Sequence, residues 1–505
     1  MDKKISISYK TFFITAGIYL LLPVLIFFLG YLKLMIALPL TAVSIFLFVL
    51  AARGSEGGKI ELPVSFFIVT AIFAVIVTIL TGVGELVWST YDHAFRRAIL
   101  NDLITYKWPV IYDPATQTIP EVIMQLRSSE DQGFIYYFVY WLPSALVGKV
   151  FGFTAANVFL ILWNSFGLCL IVTGMTMFIG RVSYACHFLL VCFSGLDIIP
   201  YFINELFLQI DEQWMWVDGC VPHMSFISNF NNLENVYQQA VPCYLIITLL
   251  LLMKDRRCVG FIGSLLFAYS PWATIGMIVI CGVKIFATKG RVKDIFTLTN
   301  LVMPVIMAFV FGSFYMSQSG AMSEQGLTAG FYGNPLMFIL AYLILLAVEV
   351  LPAAALTFTS RKRDPMYWGA IVLLLICPLY KITESNDLTM RASMPALFIL
   401  CVFLSGVVAD FVKEIVALSR EKGKQIEPKV FLRTIAVSVT VLGMGFVSMY
   451  MLSVIIPATI MGEERPEKDI VSFGQQSTPY YTAKIEDQFF ADKPEDKFFF
   501  KYLAK

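Results

Sequence analysis

The stretch Thr11 to Gly30, TFFITAGIYLLLPVLIFFLG, runs for twenty residues without a charge. About 20 apolar residues in a helix cross the roughly 30 Å of hydrocarbon in a bilayer, so this segment predicts a membrane span. Lys3, Lys4 and Lys10 precede it in the manner of a signal peptide. The run is longer than the roughly 7–15 residues of a signal's apolar region and no small-residue cleavage site follows, which predicts an uncleaved first span.

Runs of similar character recur near 34–52, 62–82, 133–152, 154–178, 182–203, 238–254, 295–316, 336–356, 366–381, 391–412 and 430–456. The run 258–286 is longer, has basic residues at both ends (Lys254, Arg256 and Arg257; Lys284, Lys289, Arg291 and Lys293) and holds Ser270-Pro271 at its middle. It predicts a hairpin with both ends on one side. Of the 505 residues, 58% are hydrophobic and 14% charged, and the mean hydropathy is +0.75. A soluble chain carries about 25% charged residues, so neither a water-soluble nor a disordered protein fits. Charge collects at the end, where 16 of the 44 positions from Gly462 to Lys505 are Asp, Glu, Lys or Arg. The expected organisation is a membrane domain over 1–456 and a short charged tail over 457–505. A net charge of +1 gives no reason to expect nucleic acid as a partner. The nine cysteines lack a C-x-x-C pair or metal-ligand spacing and read as small apolar residues of the spans.

Lysine and arginine are retained on the cytoplasmic side of membrane proteins. The segments 1–10, 53–61, 254–257, 284–293, 361–363 and 413–433 hold 21 of the 37 basic residues, whereas 204–237 and 317–335 hold none. This asymmetry places the N-terminus inside and the loops 83–132, 204–237, 317–335 and 382–390, with the tail, outside. The stretch 133–203 must then cross an even number of times, yet it shows three apolar runs. Ser194, Gly195, Asp197 and Pro200 interrupt 182–203, which marks that run as the expected re-entrant element. The predicted fold is an all-α polytopic membrane protein with about 13–15 crossings.

The first outer loop reads GELVWSTYDHAFRRAILNDLITYKWPVIYDP from Gly84. From Asp92 a helix of about 15 residues is expected, with Phe95, Ala98, Ile99, Leu103 and Tyr106 on one face and His93, Arg96, Arg97, Asn101 and Thr105 largely on others, an amphipathic helix lying on the membrane surface. Asp92 fits either a helix N-cap paired with Arg96 four residues on or a catalytic carboxylate, and Glu85 lies nearby. The second outer loop holds Glu205, Asp211, Glu212, Asp218, Glu234, Trp214, Trp216 and His223 without a cation. Carboxylates accept hydrogen bonds from hydroxyls and indoles pack on sugar C–H faces, so the loop suits carbohydrate; the alternative is an interfacial aromatic belt with solvated acids. Arg96, Arg97, Arg127, Lys381 and Arg391 are among the few outer cations and suit a phosphate at the head-group level. The loop 317–335 reads as a lid or a plain connection. No zinc, Ser/His/Asp or dinucleotide motif occurs.

Asp92-His93, Arg97, Asp102-Leu103 with Trp108-Pro109-Val110, the block from Asn386 to Leu397 and the end from Phe499 to Lys505 together make the chain resemble membrane glycosyltransferases of the C-type fold. That class includes protein O-mannosyltransferases and aminoarabinose transferases, and the match is to bacterial members. The resemblance implies a bacterial cytoplasmic membrane and inverting transfer of a sugar from a polyprenyl-phosphate donor, with a first-loop carboxylate as base. Two features depart from the class: the acidic loop follows the third span, and His93 stands where many relatives carry a second acid. These departures leave the acid pairing and any divalent metal open.

On the chemistry alone, Asp92 or Glu85 would be the base, and Arg96, Arg97 and Arg391 would hold the departing phosphate. His93, Asp102, Trp108, Trp214, Trp216, His223, Asn386 and Asp387 complete the expected substrate-binding set. The acceptor would be a glycan, lipid or protein, with membrane lipids as further partners. The competing readings are a flippase or other transporter of lipid-linked glycans, with Asp197, Glu349 and Asp410 as intramembrane acids, a lipid-linked glycan polymerase or ligase, and a non-catalytic scaffold.

Overall fold

The computed structural model describes residues 3–55, 57–113, 131–208, 217–320, 325–383, 386–420, 428–465, 472 and 489–505. It is an all-α polytopic membrane protein. Among the described residues, seven helices are long and apolar enough to cross a bilayer, and seven shorter apolar helices of 10–17 residues accompany them.

Strand β1 (Lys4–Ser8) leads into α1 (Tyr9–Tyr31), where the Ser8 side chain caps the helix by accepting from the Thr11 amide. Helix α2 (Leu34–Gly54) returns, and β2 (Lys59–Pro63) pairs antiparallel with β1, Ile5 opposite Leu62. The N-terminal strand and the 53–63 segment, which carries Arg53 and Lys59, therefore share one end of α1. Helix α3 (Val64–Leu80) delivers the chain to α4 (Asp92–Thr105), followed by β3 (Ile111–Tyr112) and β4 (Gln132–Phe134). Next come α5 (Leu142–Phe151), α6 (Phe153–Ile179), α7 (Ala185–Cys192) and α8 (Ile198–Ile203). A short α9 (Asn229–Asn235) precedes α10 (Tyr237–Leu252), α11 (Val259–Ser264), α12 (Pro271–Ala287) and α13 (Leu298–Tyr315).

Strand β5 (Gln325–Leu327) is followed by α14 (Pro335–Leu345), α15 (Leu351–Arg361), α16 (Pro365–Ile376) and β6 (Tyr380–Ile382), which pairs with β5. Helices α17 (Met394–Arg420), α18 (Pro428–Met444) and α19 (Phe446–Met461) complete the membrane part, and β7 (Phe490–Asp492) joins β4 in a three-stranded sheet β3–β4–β7. These short strands did not register in the hydropathy reading, because two to five extended residues leave no periodic signal.

The hairpin expected at Ser270-Pro271 is present. Ser270 caps α12 by accepting from the Ala273 amide, and Tyr269 donates to the Leu20 carbonyl half-way along α1 at 2.6 Å. At the other end Arg256 Nη1 donates to the Ile285 carbonyl at 3.3 Å, so both ends lie together.

The expectation about 182–203 is corrected. The element that enters and returns is 133–152. Phe134 packs on Phe138, which packs on Tyr31 at the end of α1 and on Phe314 at the end of α13; the chain then dips until the Tyr140 hydroxyl meets Tyr19, mid-way along α1, at 2.8 Å. Helix α5 climbs back, and Lys149 donates to the Tyr106 and Ile104 carbonyls at the end of α4 at 2.7 and 3.1 Å. By contrast α7 and α8, broken at Phe193 to Asp197, run from Arg181 paired with Asp410 to Tyr201 packed on Phe446 and Tyr450. Aromatic and hydroxyl partners hold the dip of 133–152 at depth, and no hydropathy average records them.

The tail docks. Residues 490–492 pair with β4, the Lys33 amide bonds to the Leu503 carbonyl at 2.8 Å, and the Lys505 amide bonds to the Tyr31 carbonyl at 3.0 Å. The two ends of the chain thus lie at opposite ends of α1. The loop 317–335, read as a lid or plain connection, is pinned through the β5–β6 pairing and by Tyr332 donating to the Pro222 carbonyl.

Candidate functional site

Helix α4 forms where the sequence places it, but Asp92 is not its N-cap. Tyr91 occupies that position without a side-chain cap bond, and Asp92 is the first helical residue. The pairing with Arg96 is as expected: Nη2 to Oδ2 is 3.1 Å. The helix is enclosed on more than its apolar face, since His93, Arg96 and Asp102 are buried beside Phe95, Ala98, Ile99 and Leu103. It is wedged beneath the sheet and α5 as well as resting on the spans, which turns polar side chains inward.

Arg96 is the centre of the site. Its residue is only 6% exposed, and among the described residues Nε and Nη1 are buried without hydrogen-bond partners. A buried N–H left unsatisfied costs about 1–3 kcal/mol, so a guanidinium with one carboxylate and two open donors is prepared for an anion. The Tyr136 hydroxyl lies within electrostatic reach of Arg96, Asp92 and Arg391, and its ring stacks on Tyr137 at 3.9 Å. Tyr137 in turn feels Asp387 and Arg391. Arg391 is held by Asn232, with Nη1 to Oδ1 at 3.3 Å, and by Asp387, with Nε to Oδ1 at 3.8 Å. The first-loop and late blocks, about 300 residues apart in sequence, are therefore joined through the tyrosine pair at the top of the re-entrant element.

Helix α9 organises this meeting. Asn232 reaches Arg391, while Glu234 accepts from Thr90 Oγ1 at 2.7 Å and from Asn235 Nδ2 at 2.8 Å, two residues before Asp92. Burial pushes the Glu234 carboxyl up to about 7, with Thr90 opposing and Asp92 adding to the rise. Asn231 donates to Asp218 at 2.7 Å, and Asp218 also accepts from the Ser228 amide and hydroxyl, which anchors α9 from behind.

Of the two candidate bases, Glu85 sits between Arg97 at 3.7 Å and Arg465 at 3.8 Å, and Arg465 also donates to its carbonyl. Burial raises the Glu85 carboxyl, and both arginines oppose the rise. The Asp92 side chain is 38% exposed and so remains reachable. His93 lies under the site, its ring stacked on Tyr237 at 6.3 Å, and burial reinforced by Arg96 lowers it to about 3. Backbone hydrogen bonds at Glu234 and Thr81 oppose that fall and tie the ring to α9 and the end of α3.

Other expected residues are placed as scaffold. Asp102 accepts from the Tyr112 hydroxyl at 2.6 Å. Trp108 donates to the Leu103 carbonyl at 2.8 Å and packs so tightly on Gly30 that a Cβ there would lie 2.5 Å from its ring. Asn386 is buried and donates to the His223 carbonyl at 2.8 Å, while His223 Nδ1 lies 3.4 Å from Lys381 Nζ. Asp387 is raised by burial, against Arg391 and Thr383, and accepts from Thr383 at 2.9 Å. Trp214 and Trp216, with Asp211 and Glu212, lie outside the described residues, as does Arg127. Tyr136, Tyr137, Tyr237 and Asn232 were missed: the tyrosines sit in apolar runs, and the only sequence signal for α9 is the dense polar string NNLEN.

Among the described residues, no group of three or more His, Cys, Asp or Glu comes together to hold a metal ion, and Asp92 is already committed to Arg96. The donor set here is suited to an anion. No protein-family model, curated protein or solved structure matches the chain.

Proposed function

We propose that the protein transfers a sugar from a polyprenyl-phosphate-linked donor to an acceptor on the face of the membrane bearing α4. The observation that carries this reading is the buried Arg96 guanidinium with two open donors, beside a reachable Asp92 and across the tyrosine pair from Arg391. Asp92 takes the proton from the acceptor hydroxyl as its oxygen bonds to the anomeric carbon. The bond from that carbon to the phosphate oxygen breaks, and its electrons leave with the lipid phosphate. Arg96 and Arg391 stabilise the charge that develops on the phosphate, an effect that grows in a site from which water is partly excluded. The acidic and aromatic loop around His223 suits the sugar or the acceptor. The resemblance to C-type glycosyltransferases points the same way. With this assignment the basic face, carrying β1 and β2, is cytoplasmic and the C-terminus lies outside, in a bacterial cytoplasmic membrane.

The test is release and transfer of labelled sugar from a polyprenyl-phosphate donor by the purified protein, with membrane glycans, lipids and proteins as acceptors. Transfer by the native chain and its loss in Asp92→Asn supports the reading. Absence of transfer to every acceptor class overturns it.

A second reading has its own observation. Asp197 and Glu349 are buried next to one another at breaks in α7–α8 and α14–α15, where the Leu196 amide bonds to the Val348 carbonyl at 2.9 Å. Adjacent carboxyls inside a membrane are the chemistry of ion- or proton-linked transport. Movement of an intact lipid-linked glycan across proteoliposomes, without sugar release, would favour a flippase.

A further inference from the structure

A lateral groove of about 430 Å³ runs between α11, α12 and α13, well away from α4. Its walls are almost wholly apolar and are lined by Gly260 and Gly263 on α11, Gly282 and Ile285 on α12, and Met307 and Ala308 on α13. A Cβ added at Gly282 would meet nothing within 4 Å, whereas at Gly260 and Gly263 it would run into Asn300 and Cys281, so Gly282 is the lining glycine that faces open space. Ile278 and Val305 beside it are each 66% exposed on the lipid-facing surface, so the groove opens to hydrocarbon. An apolar channel open to a bilayer fills with hydrocarbon, because a void would forfeit its dispersion contacts and water would find no polar partner. From Thr274 to Ile285 the α12 wall is roughly 16 Å tall, close to half of the ~30 Å hydrocarbon core. The groove is therefore one leaflet deep.

One end of it is strongly basic. The segments 254–257 and 284–294 carry seven cations (Lys254, Arg256, Arg257, Lys284, Lys289, Arg291 and Lys293) against Asp255 and Asp294. Asp294 is taken by Arg257 at 3.3 Å and Arg291 at 4.0 Å. Arg256 is 7% exposed, bonds to the carbonyl of the lining residue Ile285, and keeps a buried Nε without a partner among the described residues. Lys284, next to Ile285 in sequence, lies within electrostatic reach of Asp364 and is not among the lining residues.

We propose that this groove is a binding site for one acyl chain of an anionic phospholipid from the basic leaflet, with Arg256 meeting its phosphate. The cations supply the preference for negative charge, and the apolar wall with its open space at Gly282 supplies the fit for the chain. The site is independent of the sugar-transfer reading.

The experiment is native mass spectrometry of the full-length protein released from phosphatidylcholine nanodiscs containing a minor fraction of phosphatidylglycerol. The native protein retains phosphatidylglycerol in preference to phosphatidylcholine. Gly282→Leu, which adds its side chain to open space, and Ala308→Phe, which fills the groove from the exposed side of α13, each reduce retention about tenfold. Arg256→Gln removes the preference for phosphatidylglycerol while phosphatidylcholine is still retained. Equal retention of the two lipids by the native protein, or undiminished retention in both filling variants when they elute as folded monodisperse protein, overturns the proposal. Displacement of phosphatidylglycerol by polyprenyl phosphate would overturn the phospholipid assignment.

Discussion

Arg96 and Asp92 are paired one turn apart on α4 at 3.1 Å, with the arginine side chain 7% exposed and the aspartate 38%. The aspartate is partly exposed, and the arginine's two open nitrogens are buried. An acid and a cation are thus fixed on one rigid turn with different jobs open to them. Removing the acid deletes the proton acceptor and leaves the buried cation in place, and removing the cation does the reverse.

Asp92→Asn keeps the volume and a hydrogen-bond acceptor for Arg96 but cannot take a proton. The expected outcome is a loss of sugar transfer of about 10²–10⁴-fold with donor binding retained. Transfer rates and donor titration on the folded variant check this, and equal rates would remove Asp92 from the role of base.

Arg96→Gln and Arg391→Gln each delete one side of the proposed phosphate clamp. A charge-assisted contact worth about 1.5–3 kcal/mol predicts donor affinity weaker by roughly 10–150-fold in either variant. Lysine restores charge without the planar fork, so Arg96→Lys should recover only part. The check is the apparent KM for the donor alongside kcat.

Glu234 and His93 impose opposite pH dependences on stability. Burial raises Glu234 from 4.5 to about 7, so between those values the unfolded chain gives up a proton that the fold keeps. Its contribution is complete below pH 4.5 and is lost as the pH rises towards 7, by on the order of 3 kcal/mol. Burial lowers His93 from 6.5 to about 3, so between those values the unfolded chain takes a proton that the fold refuses, and stability falls as the pH falls. From pH 4.5 to 6.5 the two slopes oppose one another. Glu234→Gln should expose a stability that climbs with pH in that window, and His93→Phe one that declines. Thermal unfolding at a series of pH values decides; profiles parallel to the native protein would show that neither group titrates in this way.

Deleting residues from Phe489 onwards strips β7 from the sheet and removes the buried Phe490, Phe499 and Leu503. At about 1.5–3 kcal/mol for each fully buried apolar side chain, the loss is several kcal/mol. A lower melting temperature is expected. Unchanged melting would mean that the tail is not docked in the native protein.

Cysteine labelling reads the sides of the membrane directly. Lys59 in β2 lies at the same end of α1 as the N-terminus, while Glu495 lies near the docked tail at the other end, and both are exposed. The nine native cysteines are buried or partly buried, which keeps the background low. In sealed vesicles, Lys59→Cys and Glu495→Cys should react from opposite sides, with Glu495→Cys outside. Reaction of both from the same side would overturn the arrangement.

The sequence by itself determined what depends on short stretches of chain. Lipid demands that each crossing satisfy its own backbone within about 20 residues, so Thr11 to Gly30 and its counterparts identify a polytopic helical protein wherever they are read. The turn at Ser270-Pro271 and the Asp92–Arg96 pair were legible for the same reason, since caps and i,i+4 contacts are local. Only the tertiary structure decided which apolar run turns back, because Tyr140 is held at depth by Tyr19 and Asn164, residues far away in the chain. It also sorted the expected site into parts that converge and parts that support. Asn232 and the Tyr136–Tyr137 pair bring Arg391 towards Arg96, while Asp102, Trp108 and Asn386 spend their polar atoms on neighbouring tyrosine and carbonyl groups. A side chain's chemistry is set by what remains unpaired around it, and that is settled only when distant segments pack.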